Sequence, residues 1–540
     1  MSSSRTAPFV LVVVIAAAAL SAALTAADAH ASVGSGLHRR AMPPSSSAAA
    51  GNPSPSTLYC GVCEAGIDAI ETNKTDTEIM DDLRKVCTSV LPKALATDCV
   101  KGIDDMAKLV GSQDQGILVK YSTFALCSIM GACAFDCCST PFTPEQIHIA
   151  VAGNNSRDIS VQWVTLQEVS NASVIWGTST NSLTNFAPAT AHPMQIYGWR
   201  GVIYRAVMTN LAPATTYHYR VGSFTDKQFY PHPAGSQPDL KFTTESVEPY
   251  PVRVACVGDI GGDDPSDFTV LRIADGINSG LFNLSLFDGD LSYADGVEFI
   301  EDMYQRKIEV LAAFAPHMTA PGNHEGFTDF ITYKARYNVP YEESGSTDPL
   351  YYSFNYGGIH FINYNTEGPM GISIGDIQSN TPQYQWLLND LIQANKNRDK
   401  QPWIVVSGHR ALYCSANKED CQTLSELLRK DLEDLFMQQK VDIVMQAHLH
   451  YYECFYPTYN STKMGNDFNN PKAPVYIVNG AGGNKEHVTG FPSTFPDIVA
   501  AAYGVYGYGV LTAHDASNLQ WQFYEAQSNS ILHDITITRP

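Results

Sequence analysis

The chain has 540 residues, of which 44% are hydrophobic and 16% are charged, so its composition excludes a disordered or fibrous protein. At about 150 residues per domain, this length predicts roughly three or four domains. Lysine and arginine number 34 against 55 aspartate and glutamate residues, which gives a net charge of -21 and argues against a nucleic-acid partner. An anionic substrate would therefore need local positive charge, because the overall field repels it.

The N-terminal segment has the features of an export signal. Arg5 precedes an uncharged run over residues 6–27, and Ala29-His30-Ala31 offers a small-x-small cleavage site. We expect residues 1–31 to be a signal peptide, with an uncleaved signal anchor as the alternative. Residues 32–58, rich in Ser, Pro, Ala and Gly, predict a flexible linker or a trimmed pro-segment. The expected location is secreted or extracellular, with the lysosome or vacuole as the alternative.

Five N-x-S/T sequons accompany this signal, as is typical of a secreted glycoprotein. We predict glycosylation at four of them, which are Asn73, Asn154, Asn171 and Asn460. The fifth, Asn283, lies in the apolar run Phe282–Leu286, which predicts a buried strand. For that reason we do not expect Asn283 to be modified.

A cysteine-rich helical module is predicted over residues 59–138. Most of the cysteines lie in this stretch, which indicates disulfide bonds formed in an oxidising compartment. A capping box at Thr75–Glu78 and the helical spacing of the apolar residues that follow it predict helices. Zinc binding at Cys60-x-x-Cys63 is the weaker alternative, because partner Cys or His pairs at finger spacing are missing.

The spacing of six of these cysteines resembles that of the saposin B fold, a four-helix, disulfide-bonded, lipid-binding module. The resemblance implies the pairs Cys60–Cys133, Cys63–Cys127 and Cys87–Cys99, although the sequence by itself leaves the pairing open. It also implies a lipid or membrane surface as a partner of this module.

Short alternating strands separated by turn residues follow from Pro144 onward and predict a β-sandwich over residues 143–246. The segment Leu211–Gly222 resembles the tyrosine-corner segment of fibronectin type III sandwiches. Nothing in this domain has the spacing of nucleophiles or metal ligands, so we expect it to be a scaffold. His148, which alternates with apolar neighbours, is expected to be an ordinary strand histidine.

The remaining residues, 250–540, alternate buried strands with helical stretches and predict an α/β sandwich. Polar side chains follow five of the strands, and loops beyond the carboxyl ends of such strands converge on the ligand site. Five such motifs in order make chance unlikely, and their donor types suit a hard-to-intermediate metal. The candidate metal ligands are Asp259, Asp290, Tyr293, Asn323, His409, His448 and His450.

These motifs resemble those of the metallophosphoesterases, and within them those of the purple acid phosphatases. The run Gly289–Asp295, which contains Gly-Asp-Leu-Ser-Tyr, is the distinguishing match, because its tyrosine marks the ferric members of the superfamily. The segment Pro144–Ile149 resembles the entry to the family's N-terminal sandwich. The resemblance covers roughly residues 143 to 540. It implies hydrolysis of phosphate esters by in-line attack on phosphorus at a pair of metal ions.

The resemblance also implies a role for each site residue. It assigns Fe(III) to Asp259, Tyr293 and His450, and a divalent ion (Zn, Fe(II) or Mn) to Asn323, His409 and His448. Asp290 would bridge the two ions. His324 would support the phosphoryl group or protonate the leaving oxygen as a catalytic residue, and a hydrogen-bonded histidine outside the metal shell is the alternative for it.

The loop after His409 departs from the family pattern, because plant-type members have further histidines there and this chain has none. Arg410 and Tyr413 are the candidate replacements for the substrate contacts of those histidines. Cys414 and Cys421 in the same loop are close enough in sequence to form a local disulfide. Cys256, in an apolar strand, is expected to be a buried free thiol.

The leading functional hypothesis is a secreted acid phosphatase that hydrolyses phosphate monoesters. A second hypothesis is a sphingomyelinase-like phosphodiesterase acting on phospholipids presented by the saposin-like module. A third is a lipid-binding protein whose phosphatase domain is inert. The presence of every candidate metal ligand favours an enzyme over the third hypothesis.

Overall fold

The computed structural model describes residues 135–540, except 139, 154–155, 193, 195–198, 224, 226–227, 232–238, 263, 369–370 and 372, and before them only Arg84. The predicted signal peptide and linker lie outside the described residues. So do the six cysteines of the predicted saposin-like module, Cys60, Cys63, Cys87, Cys99, Cys127 and Cys133, and the sequons at Asn73 and Asn154. A small first unit contains the parallel pair β1 (Phe135–Asp136) and β7 (Trp199–Arg200).

The N-terminal part of the second unit is a β domain with two sheets. Its strands are β2 (Glu145–Val151), β3 (Ile159–Thr165), β4 (Ala172–Gly177), β5 (Asn185–Pro188), β6 (Thr190–His192), β8 (Val202–Met208), β9 (Thr216–Ser223), β10 (Gln228–Tyr230) and β11 (Lys241–Thr243). One sheet has the order β2-β3-β8-β6, and the other has the order β10-β9-β4-β5, with β11 also paired to β9. All these pairs are antiparallel.

The two sheets of the β domain share one apolar core, in which Trp163 from the first sheet packs with Val174 and Val221 from the second. The Tyr217 hydroxyl accepts a hydrogen bond of 2.9 Å from the N–H of Ala212, which is the contact of a tyrosine corner. His148 is buried in β2, and burial lowers its pKa to about 4, so it stays neutral within the scaffold.

The rest of the second unit is an α/β domain. Its helices are α1 (Asp267–Asn278), α2 (Glu298–Ala312), α3 (Asn323–Gly326), α4 (Ile331–Arg336), α5 (Pro382–Lys396) and α6 (Ser425–Gln438). Its strands are β12 (Val252–Val257), β13 (Leu284–Asp288), β14 (His317–Ala320), β15 (Tyr352–Tyr356), β16 (Ile359–Asn363), β17 (Trp403–Ser407), β18 (Ile443–Gln446), β19 (Tyr452–Phe455), β20 (Thr458–Tyr459), β21 (Thr462–Lys463), β22 (Val475–Asn479), β23 (Val499–Tyr503), β24 (Gly507–Ala513), β25 (Asn518–Glu525) and β26 (Ile531–Thr538).

These strands form two large sheets that contribute to one hydrophobic core. The first has the order β14-β13-β12-β24-β25-β26, and the second has the order β15-β16-β17-β18-β22-β19-β23. Strands β12, β13 and β14 are parallel to one another, as are β16, β17, β18 and β22. The continuous apolar runs of these strands fit their position, because a parallel strand is covered on both faces. In the described part of the chain, no helix has the length and apolar character needed to cross a bilayer.

The prediction that Asn283 lies within a buried strand is wrong, because this residue is exposed and immediately precedes β13, while the expectation that it is unmodified stays a prediction. Its side-chain oxygen accepts a hydrogen bond of 2.9 Å from the N–H of Arg253, so a polar contact at the strand end holds it at the surface. The sequon residues Asn171 and Asn460 are exposed as well.

The described cysteines form two disulfides between near neighbours, Cys137–Cys138 and Cys414–Cys421. Cys256 and Cys454 are buried free thiols. Burial raises the pKa of the Cys256 thiol well above its usual value, and the nearby Asp288 carboxylate raises it further. A thiol of this kind is a core residue rather than a reactive group.

Candidate metal centre

The seven candidate ligands all follow the carboxyl ends of parallel strands. Asp259 and Asp290 lie two residues beyond β12 and β13, and Asn323 begins the short helix α3 after β14. His409, His448 and His450 lie in the loops that follow β17 and β18 in the second sheet. Because both sheets present these strand ends to the same place, residues from distant parts of the sequence meet there.

One group of ligand atoms surrounds the imidazole of His409. Its Nε2 lies 3.0 Å from Oδ2 of Asp290, 3.2 Å from Oδ1 of Asn323 and 3.2 Å from Nδ1 of His448. Ligand atoms of Asp290, His409 and His448 all lie within 4.8 Å of one another, a spacing at which they could hold a metal ion.

The hydrogen bonding of His409 shows why this group needs a cation. Its Nδ1 is 2.9 Å from the carbonyl oxygen of Asp288, which can only accept, so Nδ1 carries the ring proton. In the neutral ring, the Nε2 lone pair then faces a carboxylate oxygen and an amide oxygen in a site where His409 is fully buried. Buried acceptors that face one another are unfavourable unless a proton or a metal ion lies between them.

The pKa of His409 is consistent with this arrangement. Burial lowers it, but the carboxylates of Asp290, Asp259 and Glu367 together outweigh burial and raise the pKa to about 10. The carboxylate that would attract a metal ion thus attracts a proton in its place, and a bound ion would have to displace that proton.

A second group of ligand atoms lies around the Tyr293 hydroxyl, which donates a hydrogen bond of 2.8 Å to Oδ1 of Asp259 and lies 3.1 Å from Nε2 of His450. His450 has its Nδ1 2.8 Å from the carbonyl oxygen of His487, so its Nε2 lone pair is directed toward the hydroxyl. Burial, followed by the Asp259 and Asp290 carboxylates, raises the pKa of Tyr293 well above its usual value. A phenolate therefore requires a strongly positive ion at this position.

The backbone at the site adopts conformations that cost free energy. Asp259, Asp290, Tyr293 and His448 all have a positive φ, between 49° and 69°. Side chains other than glycine rarely occupy this region, and such residues cluster at functional sites. Gly322 allows the close approach of these loops, because a Cβ at that position would lie 2.2 Å from Oδ1 of Asp290.

The candidate catalytic residue His324 lies beside both groups, with its ring centroid 4.1 Å from that of Tyr293. Its backbone N–H donates a hydrogen bond of 2.9 Å to Oδ1 of Asp290, and its Nδ1 donates to the Asp295 carboxylate. Its Nε2 lies 3.8 Å from Oδ2 of Asp290, beyond hydrogen-bond distance, which leaves that nitrogen able to reach a substrate. Burial lowers the pKa of His324, but Asp295 and Asp290 outweigh burial and raise it to about 10.

The two residues suggested as replacements for the missing histidines occupy different places. The Tyr413 hydroxyl donates to the Glu433 carboxylate and accepts a hydrogen bond of 2.9 Å from the N–H of Ser461, so it takes part in a separate network. Arg410 lies at the metal centre, with Nη1 3.2 Å from Nε2 of His448. Of the two, the structure brings only Arg410 to the candidate ligands.

Several groups around the ligands, some buried and some partly exposed, were not assigned a role from the sequence. Glu325 accepts hydrogen bonds from the backbone N–H groups of Asp290, Leu291 and Gly322 and so holds two ligand loops together. Others that contact ligands or His324 include Asp288, Asp295, Asp420, Asn484, Lys485, His487 and Thr489. Glu325 and Asp295 stand within the recognisable motifs, whereas the loop that carries Asp420 has no pattern that points to the site.

Comparison with protein families finds three consecutive matches. Residues 144–244 match the purple acid phosphatase N-terminal domain, and residues 252–452 match the calcineurin-like phosphoesterase domain. Residues 473–534 match the C-terminal domain described as iron/zinc purple acid phosphatase-like.

Comparison with individual proteins agrees with these matches. The chain is 32% identical over 422 residues to acid phosphatase type 7 of Mus musculus, covering 74% of this chain and 91% of that protein. It is 30% identical over 401 residues to purple acid phosphatase 22 of Arabidopsis thaliana, covering 72% of this chain and 84% of that protein. Its fold is similar to that of purple acid phosphatase PPD1 from yellow lupin seeds, with a TM-score of 0.63, 24% identity, and coverage of 74% and 75% of the two chains.

Proposed function

The chain belongs to the purple acid phosphatase family and is a phosphatase, and from this premise we propose that it hydrolyses phosphate monoesters at a centre of Fe(III) and a divalent ion. The observation that carries the proposal is the meeting of buried acceptor atoms around Nε2 of His409 and around the Tyr293 hydroxyl. These acceptor atoms suit cations. Metal ions bound there would supply the local positive charge that an anionic substrate needs in a chain of net charge -21.

The donor chemistry suits two different ions. Asp259, Tyr293 and His450 would hold Fe(III), for which phenolate and carboxylate oxygens are good ligands. Asn323, His409 and His448 would hold the divalent ion (Zn, Fe(II) or Mn), and Asp290 would be a ligand of both ions. When bound, the pair of ions would neutralise charge on the phosphoryl oxygens and activate water for attack on phosphorus.

The chain's own contribution beyond the ligands centres on His324. The Asp295 carboxylate accepts from its Nδ1 and so orients the ring, which leaves the Nε2–H directed away from that contact. Because its pKa is raised, His324 carries a proton under acid conditions and can donate it from Nε2 to a leaving oxygen or a phosphoryl oxygen. Glu325 maintains the loop geometry by accepting three backbone N–H groups.

The proposal also includes secretion through a signal peptide at residues 1–31. The uncharged run at residues 6–27 supports it, as does the Cys414–Cys421 disulfide, since disulfides persist in oxidising compartments. The saposin-like module at residues 59–138 and its lipid or membrane partner belong to the same proposal. Their support is the cysteine spacing alone.

The test of this function compares three substrates with the purified full-length protein. We expect turnover of 4-nitrophenyl phosphate to exceed that of bis(4-nitrophenyl) phosphate and of sphingomyelin in vesicles, because the proposed centre acts on monoesters. Preferential cleavage of sphingomyelin would favour the phosphodiesterase alternative, in which the saposin-like module presents the lipid. Vesicle binding without turnover of any of the three would favour an inert, lipid-binding protein.

The Fe(III) assignment has a spectroscopic test. We expect the protein to absorb visible light through charge transfer from the Tyr293 phenolate to Fe(III), and Tyr293→Phe to lose that band. Tyr476→Phe is a matched control, because Tyr476 is also buried and its hydroxyl has no hydrogen-bond partner among the described residues. A colourless wild-type protein that contains only zinc and is fully active would refute the assignment.

A further inference from the structure

The imidazole of His448 is contacted on both of its nitrogen atoms. Its Nδ1 lies 3.2 Å from Nε2 of His409, on the side of the proposed divalent ion. Its Nε2, on the opposite side of the ring, lies 3.1 Å from Oδ1 of Asp420 and 3.2 Å from Nη1 of Arg410. The metal-binding nitrogen of this histidine is therefore decided by which group faces Nε2.

The two groups that face Nε2 favour opposite tautomers. A guanidinium can only donate, so a hydrogen bond from Arg410 would require a lone pair on Nε2 and would place the ring proton on Nδ1. A proton on Nδ1 would block metal binding there. A carboxylate can only accept, so Asp420 requires the proton on Nε2 and leaves the Nδ1 lone pair facing the metal site.

Asp420 and Arg410 lie at similar distances from Nε2, 3.1 Å and 3.2 Å, and the contact between them favours Asp420 as the partner of His448. Nη1 of Arg410 lies 2.8 Å from the same Oδ1 of Asp420, so one carboxylate oxygen accepts from both Arg410 and His448. Arg410 thus makes its shorter contact with the carboxylate, 2.8 Å against 3.2 Å for Nε2 of His448. The same pairing leaves a guanidinium beside the ring, ready to donate to Nε2 if the carboxylate is removed.

We propose that Asp420 is a positioning residue that holds His448 in the tautomer able to bind the divalent ion, with Arg410 orienting Asp420. The inference rests on the proposed function in that it takes His448 as a metal ligand. From the missing histidines after His409, Arg410 was a candidate for substrate contact. The inference assigns it a different role.

The surroundings of Arg410 support a fixed position for its guanidinium. Its Nε donates a hydrogen bond of 2.8 Å to Glu367, whose side chain is fully buried, and its Nη2 donates one of 3.2 Å to the carbonyl oxygen of Gly371. Gly371 is so close to Asn323 that an added Cβ would lie 2.0 Å from the Asn323 carbonyl oxygen. Because all three of its nitrogens donate hydrogen bonds, the guanidinium of Arg410 is held in a fixed position beside the metal site.

The position of Asp420 is set by covalent and local structure. Its neighbour Cys421 is bonded to Cys414, which closes the loop that begins after His409. Asp420 also starts a π-helical turn, Asp420–Leu424, that leads into α6, and such turns are frequent at functional sites. The disulfide thus holds the carboxylate near His448, although the side chain of Asp420 remains 27% exposed.

The test is the affinity for the divalent ion, measured by competition with a chromophoric chelator, together with iron and zinc content by mass spectrometry. For Asp420→Asn and Asp420→Ala we expect ~10–100-fold weaker binding of the divalent ion, the range typical of groups that orient a metal-binding histidine. The tyrosine–Fe(III) band should persist, because Asp420 contacts none of Asp259, Tyr293 and His450. Asp420→Ala should be the more severe variant, because Arg410 is then free to donate to Nε2.

Glu419→Gln is the matched control, since Glu419 is an exposed acid of the same loop, and its loss changes the charge equally. Affinity of Asp420→Asn within twofold of that of Glu419→Gln, or loss of iron in parallel with the divalent ion, would overturn the inference. Cys414→Ser/Cys421→Ser should weaken binding in the same direction, and unchanged binding would exclude the disulfide from the mechanism. A wild-type protein without metals would instead refute the proposed function, so the two failures are distinguishable.

Discussion

Replacing His448 by alanine is expected to remove the divalent ion and to lower kcat/KM for phosphate monoesters by at least ~10³-fold. The loss of one oriented electrostatic group commonly costs ~10²–10³-fold in turnover, and here an ion of the pair is lost with it. The physical reason is that Nδ1 of His448 is one of the few acceptors facing Nε2 of His409, and no other described side chain is placed to substitute for it. Metal analysis and steady-state kinetics on the same preparation measure both effects.

His360→Ala provides the control for removal of a buried histidine. His360 also pairs with a carboxylate, since its Nε2 lies 2.8 Å from Asp390, but it belongs to β16 and lies outside the candidate ligand set. We expect this variant to keep both metals. Full retention of the divalent ion by His448→Ala would contradict the assignment of His448 as a ligand.

Replacing His324 by alanine should lower turnover by ~10²–10⁴-fold, the contribution typical of a positioned acid, while both metals stay bound. The metals should stay because the His324 side chain contacts Asp295 and the ring of Tyr293 but supplies no ligand atom to either group. The effect should be large in this chain because no histidine follows His409 in its loop, and Arg410 is engaged with Glu367, Asp420 and the Gly371 carbonyl. Proton delivery then rests on His324.

The leaving group separates proton donation from support of the phosphoryl group. Nitrophenolate needs little protonation, whereas an alkoxide leaves only with a proton, so His324→Ala should harm alkyl phosphates more than nitrophenyl phosphate. Asp295→Asn should show a smaller change with the same leaving-group dependence, because it weakens the orientation of His324 and retains the imidazole. Near-full activity on alkyl phosphates, or loss of metal from His324→Ala, would exclude the proposed role.

Much of the α/β domain could be predicted because its signals are local. An apolar run followed by Gly-Asp, Asn-His or His-x-His indicates a buried strand and the loop at its carboxyl end. Strands β12, β13, β14, β17 and β18 lie where those runs occur, and the side chains that follow them meet at one place. Parallel strands within one sheet present the same end to the same edge, so the motifs predicted convergence within each sheet, and the packing of the two sheets brings the two sets of side chains together.

Local patterns failed where a side chain has a distant partner. The apolar neighbours of Asn283 predicted a buried strand, but the residue precedes that strand, is exposed, and accepts a hydrogen bond from the N–H of Arg253, 30 residues away. Tyr413 was a candidate for the site from its place after His409, but its hydroxyl is directed to Glu433. In each case the backbone position could be predicted, and the direction of the side chain depended on a contact across the fold.

The sequence by itself determined the family and the succession of a β domain and an α/β domain, and it predicted the candidate ligands, because these depend on residue identity and short spacing. Only the tertiary structure decided which nitrogen of each histidine faces the ligand group and which carboxylate faces the other nitrogen. Arg410 reaches Glu367 across 43 residues and His448 across 38, distances in sequence at which no local pattern exists. Donor and acceptor roles are set by the partners that folding brings within about 3 Å, and those partners come from different loops.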